Sequence, residues 1–264
     1  LHPKPRLVRR QGTAAALRCG EPELAAMDLV TCMLSYGLAC SAPAKPADPE
    51  PLPSVDEFAG AEPVAAKGAA SKLLAQVQKF YDATTDFEST FKQTYVHPVY
   101  GTKTVSDGTL RVKKPGKMVW DYQGEDNPDF WVDGNTVRVV ERDTKQVLRK
   151  DVDSSDFAGA EKFLFGGRQL LDDFKVRIAG EKLVKRYGQP AHTVVQMQPL
   201  KKSPHYQQLL LVVDDATGRV DAFVVLNGDG STNHFVLSGV KRNGGLGDEA
   251  FVFVKPKGFT EIEG

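Results

Sequence analysis

The chain has 264 residues, is 41% hydrophobic and 26% charged, and balances 34 Lys plus Arg against 34 Asp plus Glu. That length allows one large β domain or two small ones, and the zero net charge excludes the strong basic field of a typical nucleic-acid binder. Cys19, Cys32 and Cys40 all lie near the start, which excludes a thiolate zinc site or a cysteine nucleophile in the rest of the chain.

Residues 1–45 read as an export-signal region. Arg6, Arg9, Arg10 and Arg18 are scattered among Pro, Gly and Ala, and Leu29 to Ala42 is apolar and small. Glu21, Glu23 and Asp28 interrupt the pattern, and a start at Met27 would leave no basic residue ahead of the apolar run. Gly37-Leu38-Ala39-Cys40 is a degenerate lipidation box, so Cys40 is a candidate acylation site; a plain signal tail followed by a spacer is the alternative. Residues 46–70, rich in Pro, Ala and acidic residues, read as a flexible linker. No run of eighteen apolar residues follows residue 45, so nothing there reads as a spanning helix.

From residue 71 to 264 the pattern is that of one folded domain. Ser71 is placed to cap a helix in which Leu73, Leu74, Val77, Phe80 and Tyr81 recur at helical spacing up to Ala83. Phe87, Phe91 and Tyr95 fall on one face of a following strand. Gly108 to Tyr122 is a β-hairpin: Leu110 and Val112 alternate with Arg111 and Lys113, then Met118, Trp120 and Tyr122 with Val119 and Asp121, around a Lys-Pro-Gly turn. Its apolar face is either ordinary core or the lining of a cavity for an apolar ligand.

Strands are expected at Phe130–Val132 and Thr136–Glu141, split by Asp133-Gly134-Asn135, and at Gln146–Val152. Ser154 to Leu171 reads as short helix and loop. Further strands are expected at Phe174–Ile178, Lys182–Tyr187, Thr193–Met197, Gln207–Val213, Arg219–Leu226, Thr232–Val240 and Ala250–Val254. The expectation is an α+β fold, mainly antiparallel β: one meander of about ten or eleven strands that must curl or close. The helix at 72–83 and the segment at 154–171 are left to cover one face.

No catalytic constellation stands out. His2, His97, His192, His205 and His234 share no metal-ligand spacing, and no phosphate-binding loop occurs. Gly228-Asp229-Gly230-Ser231 lacks the spaced acidic ligands of a calcium loop and reads as a hairpin turn. Asp172-Asp173 and Asp214-Asp215 are adjacent pairs, which a strand would point to opposite faces. Lys113, Lys114 and Lys117 are either solvated turn lysines or a docking patch for an acidic partner. No metal or cofactor is expected, and an enzyme is the least favoured class.

Several short motifs, in order, resemble the LolA family of outer-membrane lipoprotein carriers over about residues 72–264. They are Phe87-x-x-x-Phe91-x-Gln93, Gly108-x-Leu110, Lys114-Pro115-Gly116-Lys117-Met118-x-Trp120-x-Tyr122, Asp133-Gly134, Phe163-Leu164 and Phe251-x-Phe253-x-Lys255-Pro256-x-Gly258-Phe259. The resemblance implies an open half-barrel whose concave face is covered by helices, and an apolar cavity for the acyl chains of lipoproteins. It also implies a periplasmic monomer loaded by an inner-membrane ABC transporter, hand-over at an outer-membrane acceptor, and no catalysis. Phe91, Leu110, Val112, Met118, Trp120, Tyr122 and Trp131 would line the cavity. Leu74, Val77, Phe80, Phe163 and Leu164 would form a lid that refills it. The family usually has Arg before the hairpin proline, where it ties sheet to lid. Here that place is Lys114, which keeps the charge without the bidentate fork, with Lys113 beside it. The linker and Cys40 suit a second reading, a membrane-anchored lipid- or lipoprotein-sensing module on the same fold.

Overall fold

The computed structural model describes residues 68–124, 127–151, 170–202 and 206–263. The expected export region, nearly all of the linker, Cys40, Phe163 and Leu164 lie outside them. The chain enters through α1 (Ala69–Asp82) and lays down β1 (Asp86–Val96), β2 (Lys103–Lys113), β3 (Lys117–Tyr122), β4 (Asp129–Asp133), β5 (Thr136–Glu141) and β6 (Gln146–Asp151). After α2 (Leu170–Asp173) come β7 (Phe174–Ile178), α3 (Glu181–Tyr187), β8 (His192–Pro199), β9 (Tyr206–Asp214), β10 (Val220–Asn227) and β11 (Thr232–Arg242). A 3-10 turn, Asp248–Phe251, precedes β12 (Thr260–Glu263).

These strands form one sheet in the order β12-β6-β5-β4-β3-β2-β1-β11-β10-β9-β8-β7. Every neighbouring pair is antiparallel except β12 with β6. β12 and β7 are the two rims and do not pair, so the sheet is open and unclosed. It nevertheless curls. Val139 of β5 and Phe174 of β7, near opposite rims, belong to a single core cluster with Leu74, Val77 and Tyr81 of α1. The strand alternation decides which residues join it: Phe87 and Phe91 of β1, Leu110 and Val112 of β2, and Met118, Trp120 and Tyr122 of β3 all face α1.

α1 is amphipathic as expected, with Ala70, Leu74, Val77 and Tyr81 buried at helical spacing. Its N-cap is Gly68 rather than Ser71, which sits inside the first turn and is itself buried. Two expected strands are not strands. Lys182–Tyr187 lies in α3, where Leu183 and Tyr187 sit four residues apart on one buried face and Glu181 and Lys185 suit the two ends of the helix dipole. α3 covers the opposite, convex face of the sheet, packing with Val194, Leu210, Val212 and Val224. Ala250–Val254 crosses the outer face beside β3 and β4, which already have partners on both edges. Strand pairing resumes only at β12, where β6 offers a free edge.

Candidate functional site

The concave face carries a layer of aromatic rings. Phe91 pairs with Gly108 across β1 and β2, and the missing side chain there lets its ring reach β3. It meets Trp120 and Tyr122 edge-on, with centroids 4.8 Å away in both cases. Phe223 and Phe235 stack at 4.7 Å, and Phe235 lies 5.3 Å from Trp120. Leu110, Val112 and Met118 complete this layer, so the structure brings six of the expected cavity residues together. Trp131 does not join them. It pairs with Val119 and Arg138, one residue out of phase with Phe130 and Val132, and its ring packs at 5.9 Å from Phe253 on the convex side.

α1 is seated directly in the trough. Leu74 and Val77 are both 0% exposed, and Phe80 packs partly buried at the edge of the same cluster. Under the last turn of α1 the described residues leave a recess of about 10 Å³ beside Phe87, Val220 and Leu237, room for about one water. The open hollow expected for a ligand is therefore filled, among the described residues, by the helix itself. A larger cleft of about 810 Å³ lies on the outer face. Lys117, Asp133, Arg138, Asp248, Lys255 and Glu261 line it with charges of both signs, which is poor chemistry for an acyl chain.

One end of the trough is polar and satisfied. Tyr122 donates its hydroxyl hydrogen to Gln93 Oε1 at 2.7 Å, and Gln93 Nε2 donates to Asn233 Oδ1 at 2.6 Å. Asp129 accepts the Tyr122 backbone N–H at 3.0 Å and pairs with Arg142. Burial raises its pKa more than Arg142 lowers it.

The three hairpin lysines are engaged within the fold. Lys113 Nζ donates to the Leu246 carbonyl at 2.7 Å and pairs with Asp248 at 2.7 Å, and Lys117 reaches the same carboxylate at 3.0 Å. Lys114 Nζ donates to the Tyr81 carbonyl in the last turn of α1. Burial lowers its pKa, and Asp82 works the other way. The cation thus satisfies a helix-end carbonyl and sits at the negative end of the dipole. Asn243 Nδ2 donates to the Ala83 carbonyl at 3.1 Å, and Tyr81 bonds to the Val220 backbone. Helix and sheet are thus tied by polar contacts at the C-terminal end of α1, while Gly68 provides no side-chain cap at the other end. Lys114→Met should cost about 1–2 kcal/mol and speed hydrogen exchange in the last turn of α1, whereas Lys114→Arg should preserve both. Unchanged exchange in Lys114→Met would remove Lys114 from the tether.

A second cluster was not legible in the sequence, because β8, β9 and β10 assemble it. His192, Asp214 and Asp221 place ligand-type atoms within 4.8 Å of one another. His192 Nδ1 lies 2.7 Å from the Pro190 carbonyl and Nε2 lies 2.8 Å from Asp221 Oδ2. Arg219 also grips Asp221, with Nη2 at 2.8 Å. Both ring nitrogens face oxygens, and a guanidinium already neutralises the carboxylate, so the arrangement suits an ion-pair network rather than a metal. Desolvation lowers the His192 pKa, but its bonds to Asp221 and Pro190 win and raise it. That network stabilises the fold in full below the unfolded histidine value of about 6.5 and loses its effect as pH rises through the higher folded value.

His234 has the opposite sign. Half-buried on the convex face with its ring 5.1 Å from Tyr187, it has its pKa pulled down to about 4 by desolvation. The unfolded chain then takes up the proton first, so stability falls as pH drops from about 6.5. His192→Gln should lower the denaturation midpoint more at about pH 6 than at about pH 8.5. His234→Leu should flatten the acid limb below about pH 6.5. Equal losses for His192→Gln at both pH values would contradict a charged His192.

A single open, mainly antiparallel sheet, curled around a docked amphipathic helix and lined by apolar side chains, defines an unclosed half-barrel with a helix seated in its trough. The chain belongs to the family described as outer membrane lipoprotein carrier protein LolA, whose family model matches residues 82–254. An outer-membrane lipoprotein carrier protein of Ralstonia nicotianae is 25% identical over 204 residues, 74% of this chain and 89% of that protein. Its counterpart in Bordetella pertussis is 30% identical over 119 residues, 45% of this chain and 57% of that protein. Among solved structures, a LolA superfamily protein from Nitrosomonas europaea aligns with a TM-score of 0.40 at 11% identity, over 70% of this chain and 97% of that one. The Pseudomonas aeruginosa MucA/MucB complex aligns with a TM-score of 0.39 at 18% identity, over 71% of this chain and 62% of that one. The carriers of this family are not enzymes. Among the described residues no helix is long and apolar enough to cross a membrane.

Proposed function

We propose that this protein is a periplasmic, monomeric carrier that holds the acyl chains of lipoproteins against the concave face of its sheet and moves them from the inner to the outer membrane. One observation carries the reading within this family: the apolar trough is occupied by the protein's own helix. Each acyl CH₂ removed from water contributes about 0.8 kcal/mol, so a bare apolar trough would bind long chains too tightly to release them. A helix that refills the trough with Leu74 and Val77 subtracts its own burial from that affinity, and cargo binds only by displacing it. The polar ties at the C-terminal end of α1 make that end the hinge, and the helix lifts from Ala69.

On this reading an inner-membrane lipoprotein-releasing ABC transporter loads the carrier and an outer-membrane acceptor unloads it. Residues 71–264 form the binding domain, and residues 1–45 and 46–70 serve export and spacing. The test is transfer of a triacylated lipoprotein out of detergent. The full chain should keep it soluble as a one-to-one complex after detergent removal, and precipitation of the lipoprotein with the chain left free would end the carrier reading. Mass spectrometry of the exported protein should find a mature N-terminus past residue 40. An acylated Cys40 would instead make it a tethered form.

A further inference from the structure

Under the roof of the trough some polar atoms are left without a hydrogen-bond partner. Trp120 Nε1 and Ser89 Oγ are buried and unpaired, as is Ser71 Oγ on the flank of the buried side of α1. Their residues are 1%, 2% and 3% exposed. Ser89, Leu110 and Trp120 stand in register on β1, β2 and β3. Ser89 and Trp120 therefore share a face, with their backbones about 10 Å apart at strand spacing and Leu110 between them. Among the described residues two further unpaired atoms lie apart from them. Asn227 Oδ1 belongs to an amide whose nitrogen already donates to Ser231, and His234 Nε2 is on the convex side.

An indole N–H can only donate, so whatever completes Trp120 must be an acceptor. A hydrocarbon tail offers none. The cross-strand row continues from Trp120 to Phe130 and Val139, which gives it no cation to hold a carboxylate. We infer that the trough admits acyl chains together with their neutral carbonyl linkages, ester or amide, one linkage accepting from Trp120 and that of a second chain from Ser89. This rests on the acyl-carrier reading and specifies which part of the cargo that site recognises. Each paired with its own carbonyl, these donors regain the hydrogen bonds that burial cost them, so the loaded state is favoured by chemistry as well as by area.

The test compares a dipalmitoyl glyceride, the dialkyl ether of the same chain length, and palmitate, each presented in cyclodextrin to the full chain. The wild-type protein should prefer the ester over the ether by about tenfold and bind palmitate more weakly than the ester. Trp120→Phe, which keeps a ring and deletes the N–H, should erase most of the preference. Ser89→Ala should erase part of it, and carries the test if Trp120→Phe does not fold. Equal affinity for ester and ether, tighter binding of palmitate, or a preference untouched in both variants overturns the inference and leaves the carrier reading standing. A wild-type chain that binds none of the three overturns both.

Discussion

Leu74→Ala should weaken the empty protein and tighten its hold on acyl ligands. Leu74 is 0% exposed at the centre of the α1 contact with the sheet. Truncating so well buried a leucine costs about 2–5 kcal/mol, because the surroundings close the void only in part. That loss falls on the state with α1 docked. If ligand binding displaces α1, the bound state never used the Leu74 contact, and the lost docking energy reappears as affinity. The expected pattern is a lower denaturation midpoint without ligand and at least about tenfold tighter acyl binding. Weaker binding in Leu74→Ala would mean that Leu74 grips the chain directly, and the competing-roof account would be withdrawn.

Gly108→Ala should be among the most damaging single changes in the sheet. A Cβ built there would lie 2.2 Å from the Asp121 carbonyl oxygen and 2.7 Å from the Phe91 ring. Phe91 can rotate only by leaving Trp120 and Tyr122, and the carbonyl belongs to the backbone of β3, so neither neighbour gives way easily. Overpacking of this kind costs about 1–3 kcal/mol and occasionally more, and it strikes the aromatic layer that the binding reading depends on. Urea denaturation should show the drop, with a loss of near-ultraviolet dichroism from the rings. A variant with the wild-type midpoint would show that β2 and β3 approach less closely than they do here.

The hairpin, β1 and the apolar side of α1 were readable because strict alternation or helical spacing spans each of them. Gly108 in particular could be singled out as part of a motif, though not for its cause, since only strand register puts it opposite Phe91. For Trp131 the sequence misleads, because an aromatic in a short strand gives its size without its phase, and Phe130 and Val132 set the phase. Lys182–Tyr187 is short and charged, so its few apolar residues fit either period until the contact of Leu183 and Tyr187 with the convex face is known. The His192–Asp221 pair is assembled by strands that are not neighbours. Ser71 reads as a cap because serine at the start of a helix usually is one, yet its hydroxyl is unpaired inside the first turn.

The central position of β1 bears on how the chain reaches its native state. Its first neighbour, β2, follows at once, but its other neighbour is β11, where Phe91 meets Leu237. The Gln93–Asn233 bond joins residues 140 apart in sequence. Pairings so distant slow folding, because a long loop must close before they form. While the polypeptide is being made, β1 therefore waits with one bare edge beside an uncovered greasy surface. A nascent chain in that condition is prone to pair with its own copies, so the molecule needs protection in the interval before its last strands arrive.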